Sequence, residues 1–135
     1  MFKDKNVLVT GGTGMIGREL VQLLLDRGAK IRVASLDEPV DFFEEVEFHK
    51  VDLTIYENCE KICEGMDYVF HVAGIKASAE MPKIKPLNYF IPLVKFNINM
   101  MEAAFKAGVN WYLYTSSYGV YTPSEISHED DVWKT

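Results

Sequence analysis

The chain has 135 residues, 48% hydrophobic and 25% charged, which suits one globular domain and excludes a disordered tail. Fourteen Lys and Arg stand against twenty Asp and Glu, a formal charge of -6, so most of the surface repels a phosphate backbone and nucleic acid is not an expected partner. Lys3, Asp4 and Lys5 interrupt the N-terminus, and no stretch nears the roughly 20 apolar residues that span a bilayer, so neither membrane nor secretion is expected.

Residues Asn6–Thr10 (NVLVT) are apolar and β-branched, end in glycines, and lead into Ile16, Leu20, Leu23 and Leu24 at helical spacing. That pattern predicts strand, tight turn and helix. Gly28 stops the helix, and Lys30–Ser35 (KIRVAS) alternates as a second strand. Asp37, Glu38, Asp41, Glu44, Glu45 and Glu47 surround Pro39, Phe42 and Phe43, as in a solvated loop or one short helix. A third strand is predicted over 46–52, a helix over 56–65, and a fourth strand over 68–72, apolar throughout as expected where both faces are covered. Pro82, Pro86 and Pro92 mark 73–92 as a long loop with at most a turn of helix, before a helix over 96–108 and a fifth strand over 111–115. Cys59 and Cys63 fall four apart on one helix face with no second pair to complete a metal site, so no metal is expected and the thiols read as reduced, in a cytoplasmic setting.

Strand and helix alternate, which predicts an α/β fold, a doubly wound parallel sheet with helices on both faces. Right-handed crossovers make the strand order 3-2-1-4-5. Ligands of such sheets bind at the carboxyl ends of the strands beside the switch point, here between the first and fourth strands.

The turn Thr10-Gly-Gly-Thr-Gly-Met-Ile-Gly17 spaces Gly11, Gly14 and Gly17 by three between strand and helix. Gly11 permits the sharp exit, Gly14 lets backbone approach a pyrophosphate, and Gly17 allows close packing of helix on sheet. The helix start, with Thr13, Met15 and Ile16 around it, offers N–H groups and a partial positive charge to phosphates. Tight strand-to-helix turns also use glycine without a ligand. Arg18, in place of Lys followed by Ser or Thr, excludes a Walker loop, and Thr10 stands where a methyltransferase on a similar sheet carries an acid.

Three further segments join the glycine turn: Asp52-Leu53 after the third strand, His71-Val-Ala-Gly-Ile-Lys-Ala77 at the fourth, and Thr115-Ser-Ser-Tyr-Gly-Val-Tyr121 at the fifth. Together they resemble the extended short-chain dehydrogenase/reductase family of NAD-dependent epimerases, dehydratases and reductases, UDP-galactose 4-epimerase-like members especially, over essentially the whole chain. The resemblance implies a Rossmann-like NAD(P)-binding domain. It implies pyrophosphate over the glycine turn, adenine beside Asp52 and Leu53, and cofactor ribose and pyrophosphate near Ala73 and Gly74. Lys76 then lies near the phosphates, unless it is an ordinary surface lysine. In NAD-preferring members an acid ends the second strand and takes the ribose hydroxyls; here that position is Ser35, with Asp37 two residues on. Asp37 either reaches the ribose or starts a turn before Pro39; the balance favours NAD, with NADP open.

The same resemblance assigns Ser117 to the reacting sugar oxygen, with Ser116 serving through its backbone or by packing. The family's catalytic Tyr, followed four residues later by Lys, has no match, since Tyr56 leads to Glu60, Tyr112 to Ser116, Tyr118 to Thr122 and Tyr121 to Glu125. The implied Tyr lies past Thr135, so the chain is expected to be the N-terminal portion of a longer enzyme, 1–135 being an incomplete cofactor domain without its substrate lobe. General acid-base catalysis is worth about 10²- to 10⁴-fold, so the piece alone is expected to be nearly inert. Leu93 stands where members carry Asn, with Asn97 and Asn99 following. His71 reads as a buried strand histidine satisfied by backbone, and Met100, Met101, Ala103 and Ala104 as residues packing on the sheet. The expected function is the NAD(P)-binding part of a nucleotide-sugar epimerase, dehydratase or reductase working by hydride transfer at a sugar carbon; the alternative is a non-catalytic binding or sensing module. A homodimer is compatible with the family, although the helix before the fifth strand carries no diagnostic pattern.

Overall fold

The alternating apolar runs assemble into five parallel strands with helices on both faces. The computed structural model describes residues 1–38, 44–75, 81–121 and 125–133. In chain order these form β1 (Asn6–Thr10), α1 (Met15–Leu25), β2 (Lys30–Ser35), β3 (Glu47–Lys50), α2 (Tyr56–Cys63), β4 (Tyr68–His71), α3 (Met81–Ile84), α4 (Pro86–Lys106) and β5 (Trp111–Tyr114), then two 3-10 turns, Tyr118–Val120 and Glu129–Trp133. The sheet order is β3-β2-β1-β4-β5, as the crossover rule requires. Thr10 pairs with Ala34 on one side and His71 on the other, so the carboxyl ends of the three central strands finish level.

Side chains alternate across β1 with the period of two that a strand imposes. Leu8 joins Ile62, Cys63 and Met100 on one face of the sheet. Val7 and Val9 join Val21 and Leu24 on the other. Cys59 and Cys63 are both free and fully buried. Arg32 donates from Nη1 to the carbonyls of Ile62 (2.9 Å) and Glu64 (3.0 Å), tying the end of α2 to the sheet.

Two helices differ from the sequence pattern. In α1 the buried face is Gly17, Val21 and Leu24, whereas Ile16 and Leu23, counted as apolar-face residues, are 61% and 50% exposed. Gly17 sets the rotation: its bare Cα must face the turn, and residues four and seven further on share that face. The second difference is α4, which starts at Pro86 and not near Phe96, converting much of the predicted loop into helix. Pro86 sits in the first turn, where a missing N–H costs nothing. Pro92, inside the helix, removes one backbone bond, and burial of Phe96, Met100, Ala103 and Ala104 outweighs it. Met101 is 56% exposed and does not pack on the sheet.

Candidate cofactor cleft

A cleft of about 580 Å³ runs along the carboxyl ends of β1, β2 and β4. The glycine turn forms its floor. Gly11 has φ +69°, and a Cβ there would lie 2.7 Å from the Ala73 Cα, so the turn and the segment after β4 touch only because Gly11 is bare. At Gly17 a Cβ would lie 2.7 Å from the Gly12 Cα, which fixes α1 against the turn. Gly14 differs from both: a Cβ there meets only the Gly11 carbonyl, at 3.2 Å. Its bareness therefore keeps space open at the helix start. No side chain caps α1, and helix geometry leaves the N–H groups of Met15, Ile16 and Gly17 without intrahelical acceptors, all three residues lining the cleft.

At the end of β2, Thr13 Oγ1 lies 2.7 Å from Ser35 Oγ and donates to Asp37 Oδ2 at 3.0 Å. The Asp37 N–H donates to Ser35 Oγ at 3.2 Å. After β3, Asp52 Oδ1 accepts the Thr54 N–H at 2.8 Å. The Leu53 carbonyl accepts from Asn99 Nδ2 at 3.0 Å and from the Cys59 thiol at 3.2 Å, which anchors that segment to α4 and α2.

His71 is fully buried at the end of β4, but side chains satisfy its ring where backbone was expected. Asn97 Nδ2 donates to the Leu93 carbonyl (2.7 Å), which turns Asn97 Oδ1 toward His71 Nε2 (3.1 Å). Nε2 therefore carries the proton, and Nδ1 accepts from the Thr10 hydroxyl at 2.6 Å. Thr10 Oγ1 in turn accepts the Ala73 N–H at 3.3 Å. The chain of bonds links α4, β4 and β1 to the rim of the cleft. Burial lowers the His71 pKa to about 4, with the Asn97 bond opposing the shift.

Gly11, Thr13, Gly14, Met15, Ile16, Gly17, Ser35, Asp37, Asp52, Leu53, Ala73 and Gly74 all border this one cleft. Ser116 and Ser117 follow β5, exposed and away from its lining; Ser117 Oγ accepts the Gly119 N–H at 3.2 Å. Lys76 lies outside the described residues. Gly12 was overlooked in the sequence: a Cβ there would lie 2.7 Å from Val33 Cγ1, and the doubled glycine was the available signal. Pro92 and Phe96 also line the cleft, and no local pattern announced them, because α4 reaches the cleft only through the fold. Among the described residues there is no cluster of three potential metal ligands.

Sheet order, glycine turn and cleft define a Rossmann-like α/β protein. Residues 7–134 match the model of the NAD dependent epimerase/dehydratase family, and the chain belongs to that family. It is 35% identical over 133 residues to the bifunctional protein GAL10 of Kluyveromyces lactis, covering 90% of this chain and 19% of that protein. Against the 3 beta-hydroxysteroid dehydrogenase/Delta 5-->4-isomerase of Mycobacterium tuberculosis it is 34% identical over 120 residues, covering 84% of this chain and 32% of that protein. The structure of Thermus thermophilus UDP-glucose 4-epimerase in complex with NAD superposes with a TM-score of 0.79 at 27% identity, covering 93% of this chain and 43% of that one. This chain thus spans less than half the length of each. Among the described residues no helix is long and apolar enough to cross a membrane.

Proposed function

We propose that the chain is the NAD-binding part of an epimerase, dehydratase or reductase acting on a nucleotide sugar. The observation that carries this reading is one cleft bordered by the bare Gly14, the uncapped start of α1 and the Asp37 carboxylate. Each group suits one part of a dinucleotide. The N–H groups of Met15, Ile16 and Gly17 hold the pyrophosphate, and Gly14 leaves it room. Asp52 and Leu53 border the adenine, Asp37 takes ribose hydroxyls, and Ala73 and Gly74 keep the β4 side free of bulk. NAD, when bound, supplies a hydride acceptor for a sugar carbon. Ser117, after β5, would offer its hydroxyl to the oxygen on that carbon. Turnover requires a proton-transfer group besides Ser117, and no Tyr in the sequence is followed four residues later by Lys. The steroid dehydrogenase among the relatives, at nearly the same identity as GAL10, supports a second substrate reading, a hydroxysteroid on the same cofactor site.

Thermal unfolding with NAD tests the cofactor site. A ligand at 100 times its Kd adds about 2.7 kcal/mol to stability, so a clear rise in Tm is expected at millimolar NAD. Gly14→Val, which fills the space at the helix start, is expected to abolish the rise while the protein stays folded. No rise in the unmodified protein, or an equal rise in the variant, overturns the reading.

A further inference from the structure

We propose that the proton state of His71 positions the rim of the cofactor cleft: with the ring neutral, Thr10 holds the Ala73 N–H in place, and a second proton on the ring breaks that hold and weakens dinucleotide binding. The inference rests on the cofactor site proposed above. It makes Thr10, His71 and Asn97 positioning residues, none of which lines the cleft. The proton on Nε2 is fixed from α4, because Asn97 Nδ2 is taken by the Leu93 carbonyl and leaves Oδ1 for the ring. Nδ1 of the neutral ring is thus an acceptor, and the Thr10 hydroxyl gives it its one proton at 2.6 Å. With that proton committed, Thr10 Oγ1 presents a lone pair to the Ala73 N–H, 3.3 Å away. Ala73 lines the cleft and packs on Gly11, where a Cβ would lie 2.7 Å from the Ala73 Cα. The position of one amide is thereby passed to the first glycine of the turn.

With Nε2 occupied, a second proton enters at Nδ1. It turns that nitrogen from acceptor to donor, so two donors face each other across 2.6 Å unless the Thr10 hydroxyl turns its own proton away. Thr10 is fully buried, and among the described residues its hydroxyl bonds only His71 and Ala73. A displaced proton would meet neither water nor a new acceptor, which is costly. Thr10 relieves the conflict by rotating, and the Ala73 N–H loses its acceptor. The groups packed on the ring bring no charge to offset the added one. Phe96 and Asn97 face it from α4 and Thr10 from β1. From β5 come Tyr112 and Tyr114, each with its centroid 6.1 Å away, and phenols are uncharged in the acid range. Burial accordingly lowers the His71 pKa to about 4. Phe96 also lines the cleft, so the imidazole lies one side chain behind the ligand space.

The test is a nitrogen NMR titration of the His71 ring in the full chain, with and without saturating NAD, with circular dichroism as a check on folding. A ligand that prefers the neutral ring holds the second proton off by the same factor. NAD is therefore expected to lower the midpoint by about one pH unit or more, which is roughly tenfold weaker binding to the protonated form. Without NAD, the Ala73 amide signal is expected to move with the same midpoint as the ring. At pH 7, where acid unfolding plays no part, Thr10→Val keeps the shape and removes the hydroxyl, and is expected to weaken NAD about tenfold. Thr10→Ser should restore the affinity, a rescue that a merely space-filling Thr10 would not give. A midpoint unmoved by NAD, or equal NAD affinity in folded Thr10→Val and Thr10→Ser, overturns the inference while leaving the cofactor site intact. Failure of the unmodified protein to bind NAD overturns both.

Discussion

A histidine that no solvent reaches trades its proton for three partners' geometry. Thr10 and Asn97 bond the neutral ring of His71, and Phe96 meets it edge-on with centroids 5.6 Å apart. Its pKa is about 4 in the fold against 6.5 ordinarily. The folded state therefore binds this proton less well than the unfolded chain does. The stability His71 contributes is fully present above about pH 6.5 and is lost as pH falls toward 4, about 3 kcal/mol at most. Denaturant unfolding between pH 4 and 7.5 is expected to show a steeper loss on acidification for the unmodified protein than for His71→Phe. The variant is less stable at neutral pH, since Thr10 and Asn97 lose a partner. Parallel pH curves for the two proteins would show that the ring is not held neutral.

At the scale of the element, α4 shows where local pattern misleads. Three prolines in 73–92 resemble loop punctuation, and the penalty for an interior proline is real. Yet Pro86 is a natural helix opener, and Pro92 is retained because the next residues bury a face against β4 and α2. The longer helix also reveals what its final part alone would hide. Leu87, Ile91, Val94, Ile98, Met101 and Phe105 are all exposed, at alternating spacings of four and three, an apolar seam about five turns long. The seam is symmetric about residue 96: antiparallel pairing with a second copy sets Leu87 against Phe105, Ile91 against Met101 and Val94 against Ile98. A face that matches itself this way favours a two-fold dimer. Sedimentation equilibrium is expected to find a dimer, and Ile98→Glu, near the axis, a monomer with unchanged circular dichroism. A monomer at all concentrations in the unmodified protein would rule out the pairing.

Across the whole molecule, cleft and core belong to one sheet, and the buried cysteines report on that. Burial pushes the Cys63 thiol up to about 11 and the Cys59 thiol to about 12, and both sit between α2, α4 and the sheet. Labelling with a maleimide therefore waits for opening. Where opening equilibrates before labelling, NAD at 100 times its Kd should slow the reaction about a hundredfold. A rate indifferent to NAD, in a protein whose Tm NAD raises, would show that α2 and α4 open by themselves.

Strand order, the glycine turn and the neighbourhood of the cleft are legible in the residues, because parallel strands buried on both faces and a turn that must come close to backbone leave marks within a few residues. Among the described residues expected around a cofactor, the glycine turn, Ser35, Asp37, Asp52, Leu53, Ala73 and Gly74 border one cleft for that reason, and Ser116 does not. The face of α1, the start of α4, the partners of His71 and the hydrogen bonds joining Thr13, Ser35 and Asp37 emerge with the packed fold. Each of these depends on groups far apart in the chain: Thr13 and Asp37 are 24 residues apart, and Thr10 and His71 are 61. Contact at such separations comes from the packing of the sheet, and no local preference encodes it.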